Sequence, residues 1–140
     1  MKIILGLICV LFLAAQGYVR LAPMRAKDWH VDPFAAEAPK DIGVLERVAS
    51  QMRLEETLDA LHSIAQNTPR TTVLAGTPQD GRVSYVTRSR FWGFPDTTTI
   101  AVRDAAGETE VAILARARFG TNDYDVNAQR VAAWRAAAGL

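Results

Sequence analysis

Hydrophobic and polar positions divide the chain into an apolar N-terminal run, an irregular polar stretch and a region of regular periodicity. Ile3 to Ala15 is continuously apolar, whereas Leu21 to Ile42 has three prolines and no steady period. From Val44 onward, helical and strand-like spacings follow one another. The pattern predicts a signal anchor or signal peptide at residues 1–19, a tether at 20–43 and a folded domain at 44–140.

The first part of the predicted domain has the spacing of an amphipathic helix from Val44 to Ala65. Its charged residues fall between apolar positions that form a rough stripe on one side. Gln66 to Pro69 would end this helix. The apolar stripe comprises Val48, Met52, Leu58, Leu61 and Ile64.

The middle of the chain consists of short segments rich in β-branched and aromatic residues, separated by turn residues. The strand between Val111 and Phe119 alternates most regularly, since its odd-numbered residues are apolar and Arg116 and Arg118 share the other face. We expect a meander of about four antiparallel strands. The predicted strands are Thr71–Ala75, Val83–Phe91, Thr97–Arg103 and Val111–Phe119.

A second helix is predicted after the last strand. Gly120 interrupts the strand, and Thr121, Asn122 and Asp123 are residues that favour helix N-termini. With helices at both ends of an antiparallel sheet, the fold class is predicted to be α+β. Both helices would pack on one face of the sheet.

Several polar side chains invite a binding hypothesis. Arg88 and Arg90 share one face of a predicted strand, as Arg116 and Arg118 do, and the guanidinium fork suits carboxylate and phosphate groups. The spacing of the last helix places further polar groups on one of its faces. We expect these groups to converge at one corner of the domain. The helix residues concerned are Asp123, Asn127 and Arg130.

Two interpretations of this corner remain open. The arginines could bind an anionic small molecule or a lipid head group, framed by nearby aromatic residues. Alternatively, Asp96, Asp123 and Asp125 could pair with them and hold the last helix to the sheet. The second interpretation is favoured because these acids are close to the arginines in sequence.

The C-terminal region resembles a known family. The stretch RARFGTNDYDVNAQR is similar to the signature S-R-x-G-x-x-D-x-G-V-N-x-x-R of the domain of unknown function fourteen-ninety-nine (DUF1499). Upstream, Gly93, Phe94, Pro95 and Asp96 match its aromatic strand start. Asp125 stands where glycine is usual, and Ala117 where serine is usual. The resemblance covers Leu45 to Trp134 and implies an envelope or organelle-lumen protein of unknown activity. The matching signature positions are Arg118, Gly120, Asp123, Val126, Asn127 and Arg130.

Composition argues against several classes of function. The net charge is +1, so attraction to nucleic acid is not indicated, and Cys9 is the single cysteine. His30 and Asp32 are too few to form a usual zinc site, and His62 falls in a predicted helix, so no metal or cofactor is expected. We interpret Trp29 as an anchor for the tether and Asp32 as the start of a turn. A hydrolase or other enzyme has little support.

The N-terminal run determines the predicted location. Lys2 followed by an apolar segment is the layout of a signal sequence, and continuation through Val19 approaches the length of a membrane span. Because the cleavage site is imperfect, we expect an uncleaved span in the inner membrane with the domain in the periplasm. Arg20, Arg25 and Lys27 favour the cytoplasmic side, and export after cleavage is a further alternative.

Two classes of function therefore follow from the sequence. The first is a non-enzymatic binding or scaffolding domain for a membrane-protein partner. The second is a carrier or sensor of an anionic ligand at the arginine corner. A filled sheet face would favour the first class, and a hollow, concave face the second.

Overall fold

The computed structural model describes all 140 residues of the chain. Nine helices and strands follow one another, with one 3-10 turn at Pro78–Asp80. The helices are α1 Lys2–Leu21, α2 Ala26–Trp29, α3 Leu54–Asn67 and α4 Val126–Ala137. The strands are β1 Gly43–Ser50, β2 Thr71–Thr77, β3 Arg82–Arg88, β4 Pro95–Ala105 and β5 Glu108–Ala117.

The predicted helix from Val44 to Ala65 is wrong in its first half. Residues Gly43–Ser50 form β1, and α3 begins only at Leu54. The separation of four residues between Val44 and Val48 suits one face of a strand as well as one face of a helix. Pairing with β5 along the whole length of β1 decides between them.

All five strands form one antiparallel sheet in the order β1-β5-β4-β3-β2. The α+β class is therefore confirmed, with five strands where about four were predicted. The predicted meander corresponds to β2 through β5. The additional strand, β1, lies at the edge beside β5, so β5 becomes an interior strand.

The hydrophobic core lies between one sheet face and the two helices α3 and α4. Leu58 and Leu61 of α3 are fully buried against it, as are Val131 of α4 and Tyr85 of β3. The Tyr85 ring packs edge-to-face on Trp134, at a centroid distance of 5.8 Å. The prediction that both helices share one face is confirmed.

The opposite face of the sheet is polar and is covered by the N-terminal segment. Thr99 Oγ1 and Arg116 Nη2 both donate to the Trp29 carbonyl oxygen at 3.3 Å. Arg47 Nη2 donates to three backbone carbonyls between Pro33 and Ala36, at 3.1–3.2 Å. This face, which we call the tether face, is therefore filled.

Helix α1 is long and apolar enough to cross a membrane. Its mean hydropathy reaches 2.0, and none of its residues is buried in the protein. The segment from Phe12 to Arg20, in the C-terminal half of the helix, contacts the domain. A membrane span and a signal sequence share these properties.

Candidate functional site

Three of the four sheet arginines bind the backbone of the N-terminal segment. Arg88, Arg116 and Arg118 all project from the tether face. Each donates through a guanidinium nitrogen to a main-chain carbonyl, at 3.3 Å for Arg88 and Arg116. Backbone oxygens therefore occupy positions that an anionic ligand could otherwise take. Arg88 donates to the carbonyl oxygen of Val19, Arg116 to that of Trp29 and Arg118 to that of Pro23.

Arg116 also stacks on the aromatic ring of Trp29. Its guanidinium carbon lies 4.9 Å from the ring centroid, which is cation–π distance. Burial lowers the pKa of Arg116 from its usual value, and its Nε atom is buried without a hydrogen-bond partner. An open depression of about 550 Å³ lies beside this pair. Its lining is Pro23, Arg25, Asp28, Trp29, Arg116 and Arg118.

His30 continues the attachment of the tether through a chain of hydrogen bonds. Arg82 Nε donates to His30 Nε2 at 3.2 Å, which leaves Nδ1 as the protonated ring nitrogen. Nδ1 lies 2.8 Å from Ser84 Oγ, and Ser84 Oγ lies 2.6 Å from Thr99 Oγ1. Thr99 donates its hydroxyl proton to the Trp29 carbonyl, so Ser84 donates to Thr99 and His30 Nδ1 donates to Ser84. With Nε2 accepting from Arg82, this chain of bonds holds His30 in the neutral form.

The pKa of His30 is lowered from 6.5. Desolvation is the main cause, and the charge of Arg82 adds to it, while Asp80 opposes it. Both ring nitrogens are engaged by protein groups. The turn predicted at Asp32 is present, because Asp32 Oδ1 accepts from the Phe34 amide at 2.9 Å. The interpretation of Trp29 as an anchor for the tether also agrees with the structure.

A second polar cluster lies on the opposite side of the sheet, at the start of α4. Asn127 Nδ2 donates to Asp123 Oδ2 at 2.7 Å and to Asp96 Oδ2 at 3.3 Å. Arg130 Nη2 donates to Asn127 Oδ1, and Arg130 Nη1 lies 3.6 Å from Asp96 Oδ2. We call these four residues the helix-start cluster.

Burial shapes the electrostatics of the helix-start cluster. The Asp96 and Arg130 side chains are only 14% and 10% exposed. Desolvation raises the pKa of Asp96; Asp123 raises it further, while Arg130 and the bond from Asn127 lower it. Desolvation likewise lowers the pKa of Arg130, opposed by both acids. The carboxylates of Asp96 and Asp123 both face the single guanidinium of Arg130. Asn127 therefore supplies further hydrogen bonds to the two carboxylates.

The structure corrects the prediction of a single polar corner. Arg116 and Arg118 lie on the tether face, whereas Asp123, Asn127 and Arg130 lie on the helix face. Side chains alternate along β5, and α4 packs on the apolar side of that strand. The two groups are therefore separated by the sheet.

The structure also corrects the expected pairing of acids with the sheet arginines. Asp96 and Asp123 bind Asn127 and Arg130, and Asp125 is exposed. Asp96 of β4 does hold the last helix to the sheet, as expected, but through Asn127 and Arg130 of α4 instead of a sheet arginine. The acids are close to the sheet arginines in sequence, but this closeness does not determine on which face of the sheet the acidic side chains lie.

Arg90, the fourth sheet arginine of the prediction, lies in the loop between β3 and β4. Its side chain is exposed and makes no hydrogen bond or salt bridge. The loop is stabilised by Gly93, which has a φ of 74°, and by a 2.9 Å bond from the Ser89 amide to the Phe94 carbonyl. It presents Phe91, Trp92 and Phe94 next to α1.

A surface cleft of about 420 Å³ separates this loop from the start of α4. Asp96 and Asp123 reach it from the helix-start cluster, and Tyr124 on its rim is 83% exposed. Gly120, with a φ of 95°, shapes the chain on the far side. The cleft could not be predicted from the sequence, because its walls come from separate loops. Its apolar walls are Phe94, Ala117, Phe119, Tyr124 and Val126.

Taken together, fold and site define a small α+β domain with a filled tether face and a buried polar cluster at the start of its last helix. The members of that cluster, Asp96, Asp123, Asn127 and Arg130, are the motif residues noted in the sequence. The chain belongs to the family described as protein of unknown function DUF1499, whose model matches residues 19–137.

One solved structure is similar in fold. It is the crystal structure of DynU16 from the dynemicin biosynthetic locus, with a TM-score of 0.51 and 16% sequence identity. The alignment covers 72% of this chain and 45% of that chain. The similarity concerns the fold alone. No curated protein matches the sequence.

Proposed function

We propose that the protein is a membrane-anchored, non-enzymatic module that holds its domain close to the anchor and binds a membrane-protein partner. The observation that carries this proposal is the use of Arg88, Arg116 and Arg118. These side chains bind the backbone between Val19 and Trp29 and so attach the sheet to the end of α1. A domain fixed in this way is suited to presenting a surface at a constant distance from the bilayer.

The filled tether face supports a binding module over a ligand carrier. Trp29, His30 and the segment after Pro33 cover the face that a hollow carrier would leave open. We place the partner surface at the cleft beside Tyr124, where apolar walls meet exposed polar groups. An aromatic residue with a polar tip is common at protein interfaces.

We place the anchor in the inner membrane and the domain in the periplasm. The order of Lys2 followed by an apolar segment supports this orientation. Reporters fused after Leu140 distinguish the two sides of the membrane. Alkaline phosphatase fused there is expected to be active, whereas fluorescence of a reporter that works only in the cytoplasm would contradict the periplasmic placement. Retention in the membrane fraction at alkaline pH tests the anchor, and release would contradict it.

Photo-crosslinking in cells tests for the partner. A photoreactive amino acid in place of Tyr124 is expected to give a discrete, protein-sized product. The matched control is Val73, which is 44% exposed on the edge strand β2 and should give none. Equal labelling from both positions would contradict a partner surface at the cleft.

One observation favours a second candidate, an anionic ligand on the tether face. Arg116 Nε is buried without a partner, beside the open depression that Arg118 also lines. Inorganic phosphate is a suitable probe, with Trp29 fluorescence as the readout. A saturable change that Arg118→Ala abolishes would establish this candidate, and a flat titration would remove it.

A further inference from the structure

We propose that the loop between β3 and β4, residues 89–94, inserts its aromatic side chains into the lipid bilayer beside α1. This inference rests on the proposed function, since it requires α1 to lie in a membrane. It adds a second membrane contact, made by the folded domain itself. The occupant of the surface is a phospholipid bilayer.

Exposed apolar side chains outside α1 concentrate in the loop and along the neighbouring cleft. Phe91 is 70% exposed and Trp92 is 42% exposed, although both are large aromatic residues. Val73, on the far edge of the sheet, is the one exception to this concentration. A contiguous patch of this type marks a surface that contacts lipid or protein. The exposed residues of the loop are Phe91, Trp92 and Phe94, and those at the cleft are Tyr124 and Val126.

The aromatic loop contacts the apolar helix well before the end of that helix. The Trp92 and Phe12 ring centroids are 5.9 Å apart, and those of Tyr18 and Phe119 are 6.2 Å apart. Phe12 precedes the last residue of α1, Leu21, by nine residues, or about 13 Å along a helix axis. If α1 spans the bilayer, the Trp92 ring lies below the membrane surface, within the apolar part of the bilayer.

The loop is held in a fixed shape, which reduces the entropy lost on insertion. The Phe94 amide donates to Ser89 Oγ at 3.0 Å, and the Gly93 amide donates to the Ser89 carbonyl at 3.2 Å. Arg88 Nη1 donates to the Gly93 carbonyl at 3.1 Å. These bonds satisfy the amides of Ser89, Gly93 and Phe94 at the two ends of the loop and fix its shape, whereas the amides of Arg90, Phe91 and Trp92 have no partner in the protein.

Two arginines lie next to the aromatic residues of the loop in space or in sequence. Arg20 Nη2 donates to the Phe91 carbonyl at 2.8 Å, which joins the loop to α1. Arg90 is exposed and unpaired, so its guanidinium is free to bind a lipid phosphate. Aromatic residues next to an unpaired arginine suit a phospholipid interface better than an apolar protein surface.

Site-directed spin labelling of the full-length chain tests the inference. The protein is reconstituted in vesicles of phosphatidylethanolamine and phosphatidylglycerol, and each nitroxide is probed with oxygen and with a water-soluble nickel chelate. Native Cys9 is the reference position, because it lies in α1 and is the one cysteine. Two further chains carry Cys9→Ser with either Phe91→Cys or Val73→Cys.

We expect labels at positions 9 and 91 to be accessible to oxygen and protected from nickel, and the label at 73 to show the reverse. A label at 91 that is open to nickel while position 9 is protected would overturn the inference and leave the anchor intact. A label at 91 that is shielded from both reagents would assign the loop to a protein contact and also overturn it. Exposure of position 9 to nickel would refute the anchor and the inference together.

Discussion

The Arg116 guanidinium covers the Trp29 ring at 4.9 Å from its centroid and also donates a hydrogen bond to the Trp29 carbonyl oxygen. One side chain of β5 thus binds both the ring and the backbone of a tether residue 87 positions earlier in the chain. This pair fixes the domain relative to α1, because Trp29 lies eight residues after the end of that helix at Leu21.

Removing this contact should loosen the tether. Arg116→Ala is expected to lower the free energy of unfolding by about 1–2 kcal/mol, since a cation–π contact and a hydrogen bond are lost. Hydrogen exchange in detergent micelles should show faster exchange for residues 22–36 than in the wild type. Arg90→Ala is the control, because the exposed Arg90 has no partner. Unchanged exchange in the tether of the Arg116 variant would contradict the attachment.

Attachment of the tether should weaken in acid through His30. Its pKa is lowered in the folded protein, so the folded state binds fewer protons than the unfolded state near the reference value of 6.5. The stabilisation is present above that value and is lost as the pH falls through the folded pKa. Protonation at Nε2 would remove the acceptor for Arg82 and place two cations side by side, with Asp80 as the nearby acid.

Urea unfolding at several pH values checks this expectation. Between about pH 8 and about pH 5, wild-type stability should fall more steeply than that of His30→Gln, which does not titrate. The same measurement on His62→Gln is the comparison for a histidine away from the tether, because His62 binds Tyr85 on the other face of the sheet. Parallel stability curves for wild type and His30→Gln would show that His30 is not responsible.

Asn127 is expected to be the most sensitive residue of the helix-start cluster. It is fully buried and contacts Asp96, Asp123 and Arg130. Asn127→Ala removes the side-chain amide that bonds all three charged groups and should lower the free energy of unfolding by about 2–4 kcal/mol. Gln129→Ala, at an exposed position of α4, should change it by less than about 0.5 kcal/mol. Equal effects in urea unfolding would argue against a coupled cluster.

Asp125 occupies a backbone conformation that favours glycine. Its φ is 62°, immediately before α4, and glycine is usual at this position in the signature. Asp125→Gly should be more stable than Asp125→Ala by about 1 kcal/mol, because both variants lose the carboxylate and only alanine keeps a strained Cβ. Thermal unfolding of the pair measures this difference. A more stable alanine variant would show that the loop relaxes out of the left-handed region.

Local patterns predicted the strands β2 to β5 and the last helix, because their periodicity and turn residues agree with the tertiary fold. The strand β1 was missed for a physical reason. Its pairing partners in β5 lie 59 to 73 residues away in sequence, from Ser50 with Thr109 to Gly43 with Arg116, and the valines of β1 also fit a helical stripe. Long-range pairing, rather than local preference, decides its structure.

Only some features of the candidate site could be predicted from the sequence. The motif spacing placed Asp123, Asn127 and Arg130 on one helix face, and the structure brings them together. The alternation in β5 correctly gave Arg116 and Arg118 a common face. The segment that covers that face could not be predicted, because the tether has no periodicity from which its course could be inferred.

Native mass spectrometry of the intact protein, extracted gently from its own membrane, tests the central claim most directly. For a membrane-anchored module whose tether face is filled, we expect an additional mass of protein size and no stoichiometric small molecule. A small anionic adduct that persists in the wild type and disappears in Arg118→Ala would contradict this account. It would show that the sheet arginines bind a ligand.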